Sequence, residues 1–472
     1  MKQTILGLAA SLALLAQPAH AAVTFDFLFD EGYPLAASND GSVVVGNGAS
    51  GGYIPFYWTE STGFVSLGRP QFVGGGGIPG VSADGTRIAS SIGSVDSSYT
   101  TQGLWTQATG WQELMPPIPP DGGSTDGSYG NVWGMSGDGS TVVGLYWRHG
   151  FGRAHASKWT QATGVVDLGG TTTNQASRAN GANYDASVIV GWVETPTGPW
   201  RPAAWVNGSL VLLSDYDEAT IAWHGEARST SPNGDIIVGF AKDPVSNRRA
   251  AAMWKRTGGV FGPTQVLGYV DGTEPGGINI AYSVSADGSI VVGYCSFDGS
   301  PFTPTGFVWT EATGVIDVNE YLANNGVLVD PNFTIQSLTK VTPDGSKIFG
   351  YGQMLTPPYD TRAFRITRPA TVAVEESAGP ARLSLATPRP NPSSSTTRLE
   401  FTLETPSRVD VSVFDAAGRR VAALLSDEVA AGPHSVTWDG RMADGRTAAP
   451  GLYFARVSTP VGMASRRLVR AR

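Results

Sequence analysis

The chain has 472 residues, a formal net charge of −8 and only 15% charged residues, which excludes the broad basic field on which nucleic-acid binding relies. With 61 Gly, 31 Pro and 10% aromatic residues, it reads neither as disordered nor as helical but as many short strands joined by turns. A single cysteine, Cys295, excludes intramolecular disulfides, so packing alone must hold the fold.

The first residues carry the pattern of an export signal: Lys2, an apolar stretch from Ile5 to Leu15, then Ala19-His20-Ala21 as the cleavage site. This predicts a signal peptide over residues 1–21 and a mature chain beginning at Ala22. The apolar run is shorter than the ~20 residues a membrane-spanning helix needs, and no later segment qualifies, so no transmembrane segment is expected after signal removal. The expected location is secreted, or on the outer cell surface of a Gram-negative-type bacterium.

From there a hairpin signature recurs, a small residue and an Asx-Gly turn followed by a β-branched run. Its copies are Ser38-Asn39-Asp40-Gly41, Ser82-Ala83-Asp84-Gly85, Ser136-Gly137-Asp138-Gly139, Tyr184-Asp185-Ala186, Ser231-Pro232-Asn233-Gly234, Ser285-Ala286-Asp287-Gly288 and Thr342-Pro343-Asp344-Gly345. The turn residues 40, 84, 138, 185, 233, 287 and 344 are 44, 54, 47, 48, 54 and 57 apart, spacings typical of four-stranded propeller blades. A second hairpin follows in each unit, marked by Trp58, Trp105, Trp159, Trp205, Trp254 and Trp309, with Phe364 in the seventh; their recurrence at one position reads as packing between blades. Closing strands such as Val165-Val166-Asp167-Leu168 and Val315-Ile316-Asp317-Val318 complete the count of four.

The seventh unit lacks a closing strand, whereas Val23 to Leu28 is a closing strand with no unit before it. Joining the two predicts an all-β, seven-bladed β-propeller over residues 22–367, closed by the N-terminal strand, with the first strand of each blade innermost. The turns within hairpins are short, while the long connections between second and third strands and between blades fall on one face, where a ligand should bind. That face would display Tyr53, Tyr99, Trp147, Arg148, His149, Trp200, Arg201, Asp215, Asp217, Trp223, His224, Arg248, Arg249, Asp298 and Tyr359. Trp147, Trp200 and Trp223 beside Arg148, His149, Arg201 and His224, with Asp215 and Asp217, are the candidate ligand residues; the rings suit stacking on a sugar or a partner protein, and burial under a loop is the competing reading.

Residues 368–390 lose the periodicity and read as a Pro-containing linker. Beyond it, strands at Thr397 to Leu403, Arg408 to Asp415, Arg420 to Leu425, His434 to Trp438, Gly451 to Ser458 and Ser465 to Val469 predict a small Ig-like β-sandwich over residues 391–472.

Two resemblances follow from these motifs. Residues 22–367, with His155-Ala156-Ser157-Lys158-Trp159, Arg249 to Trp254 and Arg362-Ala363-Phe364 in matching slots, resemble the extracellular repeats named HAF. That resemblance implies an exported repeat protein and carries over no catalytic residue. Pro390-Asn391-Pro392, Val411 to Arg419, Gly432 to Gly440, Pro450 to Phe454 and Arg466 to Arg470 resemble the C-terminal sorting domain of type IX secretion cargo and the related Ig-like domain of flagellar hook-capping proteins. This implies the secretion machinery as a partner and passage across an outer membrane, followed by removal or anchoring; an inert accessory sandwich is the alternative.

Chemical motifs are scarce. Gly74 to Gly77 lacks the strand, helix and Lys of a phosphate loop, and His149, His155, His224 and His434 have no zinc spacing. His155 and Cys295 read as packing residues. No metal site and no cofactor is assigned; Asp121 to Asp126 and Asp215 to Glu218 carry calcium-type oxygen ligands without EF-hand spacing. Asp215, Asp217, Glu218, Glu226, Asp271, Glu274, Asp298 and Asp360 are the acids that a sugar-cleaving enzyme would have to bring together. The leading expectation is a binding module for an extracellular glycan or protein. The alternatives are a carbohydrate-active enzyme (glycoside hydrolase or lyase) and a structural surface-layer component.

Overall fold

The computed structural model describes residues 23–48, 53–71, 76–95, 100–114, 130–148, 153–172, 174–198, 200–213, 225–246, 248–270, 277–296, 304–369, 383–386, 388–391, 393–403, 406–415, 420–443, 445–459 and 462–471. The predicted signal peptide lies outside these residues. Seven antiparallel sheets follow one another along the chain from residue 24 to 367. Their first strands are Gly32–Ala37, Gly80–Val81, Gly130–Met135, Ser177–Ala182, Gly225–Thr230, Ile278–Val284 and Phe333–Val341. In the last sheet the fourth place belongs to Thr24–Asp30, paired with Thr361–Thr367 so that Phe25 faces Ile366 and Phe27 faces Phe364. The chain is a seven-bladed β-propeller closed by its N-terminal strand.

Each Asx-Gly turn is built the same way. In the first, the Ser38 hydroxyl donates to Asp40 at 2.7 Å, the Ser42 amide donates to the same carboxylate at 3.0 Å, and Gly41 takes the left-handed conformation at φ 64°. Adjacent turns are then linked by backbone hydrogen bonds, Asn39 to Ala83, Ala83 to Gly137, Asp138 to Tyr184, Tyr184 to Pro232 and Ala286 to Pro343, which tie the blades around the axis.

The core lies between blades. Trp159 packs with Ala89 and Leu104 of the preceding blade, and Trp205 with Val143 and Ala156. Trp205 donates its indole N–H to the Leu168 carbonyl at 2.9 Å, also across the blade boundary. Trp58, Trp254, Trp309 and Phe364 are buried and Trp105 is partly so, as packing residues should be. Cys295 is fully buried in the cluster between the fifth and sixth blades.

Three details depart from the sequence reading. The closing strand of the sixth blade stops at Asp317, whose side chain accepts the Asn319 amide at 2.7 Å and starts a helix, Val318–Asn324. Its Val318 and Leu322 are buried against Phe333 and Ile335, so a segment read as strand end and loop fills the space beside the seventh blade. In the fifth blade, Arg249–Thr257 carries both Val260–Phe261 and the closing strand Gln265–Gly268. Finally, Leu383–Leu385, inside the stretch read as linker, pairs with Thr397–Leu403.

The C-terminal module is a sandwich of one three-stranded and one four-stranded sheet. Strict alternation of buried and exposed residues along Thr397–Leu403 puts Leu399, Phe401 and Leu403 in a core with Val409, Val411, Val413, Trp438 and Val457. Two motif residues have structural work here: the Asn391 side chain accepts the Val469 amide at 2.7 Å, and the buried Arg470 donates to the Ala448 carbonyl at 2.8 Å.

Candidate functional site

In six of the seven blades the pairing of the first two strands skips one residue of the first strand, a β-bulge. The skipped residues are Leu35, Trp133, Asn180, Arg228, Tyr282 and, at the matching place in the seventh blade, Thr339; that blade has a second shift, which skips Gln336. The bulge presses the first strand's carbonyl onto the second strand, which is why a Gly follows the β-branched run: a Cβ on Gly191 would overlap the Arg178 carbonyl oxygen, and one on Gly293 the Ile280 oxygen. The second blade proves the rule from the other side. Its first strand pairs for only two residues, without a bulge, and Ser90 stands at the Gly position.

The bulged side chains converge on the axis. They line, with Pro79 from the second blade, a chamber of about 230 Å³ to which all seven first strands contribute. The first strands are therefore innermost. Towards the long connections the axis widens into a vestibule of about 560 Å³. Its walls are Tyr33, Tyr53, Trp133, Tyr294 and Tyr351 among aromatic residues and Asn47, Gln71 and Gln336 among amides, with Leu35, Ile78 and Pro304. Leu35, Ile78, Trp133 and Tyr351 line both spaces. Tyr33 meets Tyr351 edge to face at 4.9 Å between ring centroids. Burial, together with the neighbouring Tyr282, Tyr33 and Tyr294, pushes the Tyr351 phenol far up, so it remains a neutral hydrogen-bonding group.

One charged network sits beside the axis. Glu226 receives Arg178 at 2.9 and 3.1 Å and lies 2.9 Å from the Arg228 guanidinium. Arg178 also donates to Asn180 at 2.7 Å and lies over the Trp133 ring at 3.7 Å from its centroid. Burial pulls Arg178 down to about 10, opposed by Glu226, so the guanidinium stays charged at neutral pH. Glu226 is 3% exposed and fully engaged, which makes it a structural carboxylate.

The predicted ligand residues that are described, Trp147, Arg148, Trp200 and Arg201, are not among the vestibule's lining residues. Trp147 is exposed, next to last in the second strand of the third blade, and is not among the vestibule's described lining residues. Arg148 ends the same strand. Trp200 is half-buried and stacks on Trp192 at 4.1 Å, so one face is already used. Arg201 is 5% exposed, not displayed as the sequence reading had it. His149, Asp215, Asp217, Trp223 and His224 lie outside the described residues, as do Asp121 to Asp126, Glu218, Asp271, Glu274 and Asp298. Among the described residues expected on the variable face, Tyr53 alone lines the vestibule. His155 is buried and held by Asp167 at 3.0 Å, which also accepts the Tyr146 hydroxyl at 2.7 Å.

Apart from Tyr53, the vestibule residues are not among those the sequence reading singles out for ligand binding. A signal existed: the residue three before each turn Ser, Thr or Asn is the axial one, bulged in six blades, giving Leu35, Pro79, Trp133, Asn180, Arg228, Tyr282 and Thr339. The residue after the second-strand Gly supplies Asn47, Tyr294 and Tyr351.

Residues 391–461 match the FlgD Ig-like domain. No curated protein sequence matches the chain. Among solved structures, the chain is similar to the β-propeller domain of the Trilobed protease from Pyrococcus furiosus, at 12% identity and a TM-score of 0.44 over 72% of this chain and 95% of that one. It is similar to TolB from Acinetobacter baumannii, at 11% identity and a TM-score of 0.35 over 75% of this chain and 65% of that one. PorZ, a bacterial surface component of the type IX secretion system of Porphyromonas gingivalis, gives 15% identity and a TM-score of 0.31 over 93% of this chain and 65% of PorZ. The chain thus spans just under two thirds of TolB and of PorZ, and the likeness is one of fold. No helix among the described residues is long and apolar enough to cross a membrane.

Proposed function

We propose that this protein is an exported, cell-surface or secreted binding module whose propeller takes an extracellular glycan into the axial vestibule. The observation that carries the reading is the composition of that cavity: five aromatic rings and three amide side chains around about 560 Å³. Rings present flat apolar faces that pack on the C–H faces of a pyranose, and amides offer both donors and acceptors to its hydroxyls. The volume falls within the ~300–1,000 Å³ usual for ligand pockets. Among the described lining residues there is no carboxylate, and Glu226 nearby is occupied by two arginines, which favours retention of a sugar over cleavage of one.

The HAF-like repeats and the export signal read from the sequence support delivery outside the cytoplasm. The C-terminal module then serves secretion or surface sorting, in the manner its likeness to type IX sorting domains implies. The test is incubation of the purified mature chain with a panel of polysaccharides and glycoproteins, scoring retention and new reducing ends together. Retention without new ends is expected. New reducing ends would replace the reading by an enzymatic one, and neither signal would leave a structural surface role.

A further inference from the structure

The axial chamber below the vestibule contains a cation that no carboxylate among the described residues compensates. In each blade the residue two before the turn Ser, Thr or Asn pairs with the residue just before the second-strand Gly position. In six blades it is small: Ala36, Gly80, Gly134, Gly181, Ser229 and Ser283. In the seventh it is Lys340, opposite Phe349, and it lines the chamber. One long side chain thus enters a space that the other six blades leave open.

Arg228, the other cation of the chamber wall, has Glu226 at 2.9 Å. Among the described residues no carboxylate pairs with Lys340, and burial pushes its ammonium down. The remaining titratable groups facing the chamber are Tyr282 and Tyr351, both held neutral because burial raises their phenols. No carboxylate lines the chamber among the described residues. Lys340 is half-buried, its side chain reaching into the confined chamber, and an ammonium there without a paired carboxylate favours an incoming anion.

We propose that the chamber is a binding site for a small carboxylate-bearing ligand of sugar-acid size, its carboxylate on the Lys340 ammonium and its body against Trp133, Leu35 and Met135. The volume of about 230 Å³ holds roughly eight waters at ~30 Å³ each, which suits a compact organic acid and not a polymer. The chamber adjoins the vestibule and shares Leu35, Ile78, Trp133 and Tyr351 with it, but Lys340 lines the chamber and is not among the vestibule's described lining residues, so the preference for an acid is tested apart from neutral glycan binding.

The probe is glucuronate, with glucose as the neutral control and a glucuronate-ended oligosaccharide to distinguish a free acid from a chain terminus. Calorimetry on the full mature chain should show glucuronate binding at least tenfold tighter than glucose, with proton uptake that grows as pH rises because binding restores the charged ammonium. Lys340→Met, which removes the charge at similar volume, should abolish the preference while raising the thermal midpoint. Lys340→Arg should retain part of it. As a variant-free check, glucuronate should protect Lys340 from reductive methylation read by mass spectrometry. Equal binding of glucuronate and glucose by the wild type, or unchanged methylation of Lys340 with glucuronate present, would overturn the proposal.

Discussion

Phe25 stacks on Phe364 with ring centroids 4.8 Å apart, joining the first described strand of the chain to the last strand of the propeller. Phe333 meets both rings edge-on, at 6.2 Å from Phe25 and 6.0 Å from Phe364, so the seam of the ring is an aromatic cluster. Phe364 is fully buried, and Phe364→Ala is expected to cost about 3–5 kcal/mol, as large aromatic deletions in cores do. Chemical denaturation of the two proteins checks this. A loss under 1 kcal/mol would mean that the seam contributes little to holding the ring.

The close approach of the Arg178 carbonyl to Gly191 gives a sharper test of the bulge. Gly191→Ala forces the two strands apart and should destabilise the propeller by about 1–3 kcal/mol, the usual cost of overpacking. Ser90→Ala, at the equivalent position of the blade without a bulge, should cost less than about 1 kcal/mol. Thermal unfolding of the pair decides it, and equal losses would contradict the role given to the bulge.

Much of this architecture was legible in the sequence because it is repeated. Asp40-Gly41, Asp84-Gly85 and their relatives announce a turn chemistry that few other arrangements use, and the orphan strand at Val23 to Leu28 announced the closure. The helix Val318–Asn324 was hidden because its apolar residues extend the β-branched run of the strand before it, and only the Asp317 cap separates them. The site was hidden for a different reason. Trp133, Arg228, Tyr282 and Lys340 share no residue type, since axial positions differ from blade to blade while packing positions repeat, and the long-connection aromatics Trp147 and Trp200 looked more distinctive than they are.

Acid should weaken the ring of turns. For Asp40, Asp84, Asp185, Asp287 and Asp344, burial opposes ionisation, but hydrogen bonds from neighbouring Ser, Thr and Asn side chains and from backbone amides outweigh it, so each carboxyl lies below its usual 3.8. A depressed folded value means the stabilisation is full above the unfolded value and is lost as pH falls through the folded one. Denaturant midpoints should therefore be level from pH 7 to about 5 and drop below pH 4. Asp84→Asn and Asp287→Asn together should shallow that drop; an unchanged slope would place the acid sensitivity elsewhere.

Glu226 holds two arginines next to the axis. Glu226→Ala leaves Arg178 and Arg228 buried without a counter-ion and should destabilise the protein by about 3–5 kcal/mol, whereas Glu226→Gln, which keeps hydrogen bonding, should lose less. Calorimetric unfolding distinguishes them. If both substitutions were neutral, the network would be a surface feature in energetic terms.

The most direct measurement of the account is the affinity of the best-retained glycan for three proteins: wild type, Tyr53→Ala and Trp147→Ala. Both rings are exposed, so neither substitution disturbs the core, but only Tyr53 lines the vestibule. Tyr53→Ala is expected to weaken binding by about tenfold, ~1.4 kcal/mol, with Trp147→Ala unchanged. Loss of affinity in Trp147→Ala with Tyr53→Ala unaffected would contradict the axial vestibule as the binding site.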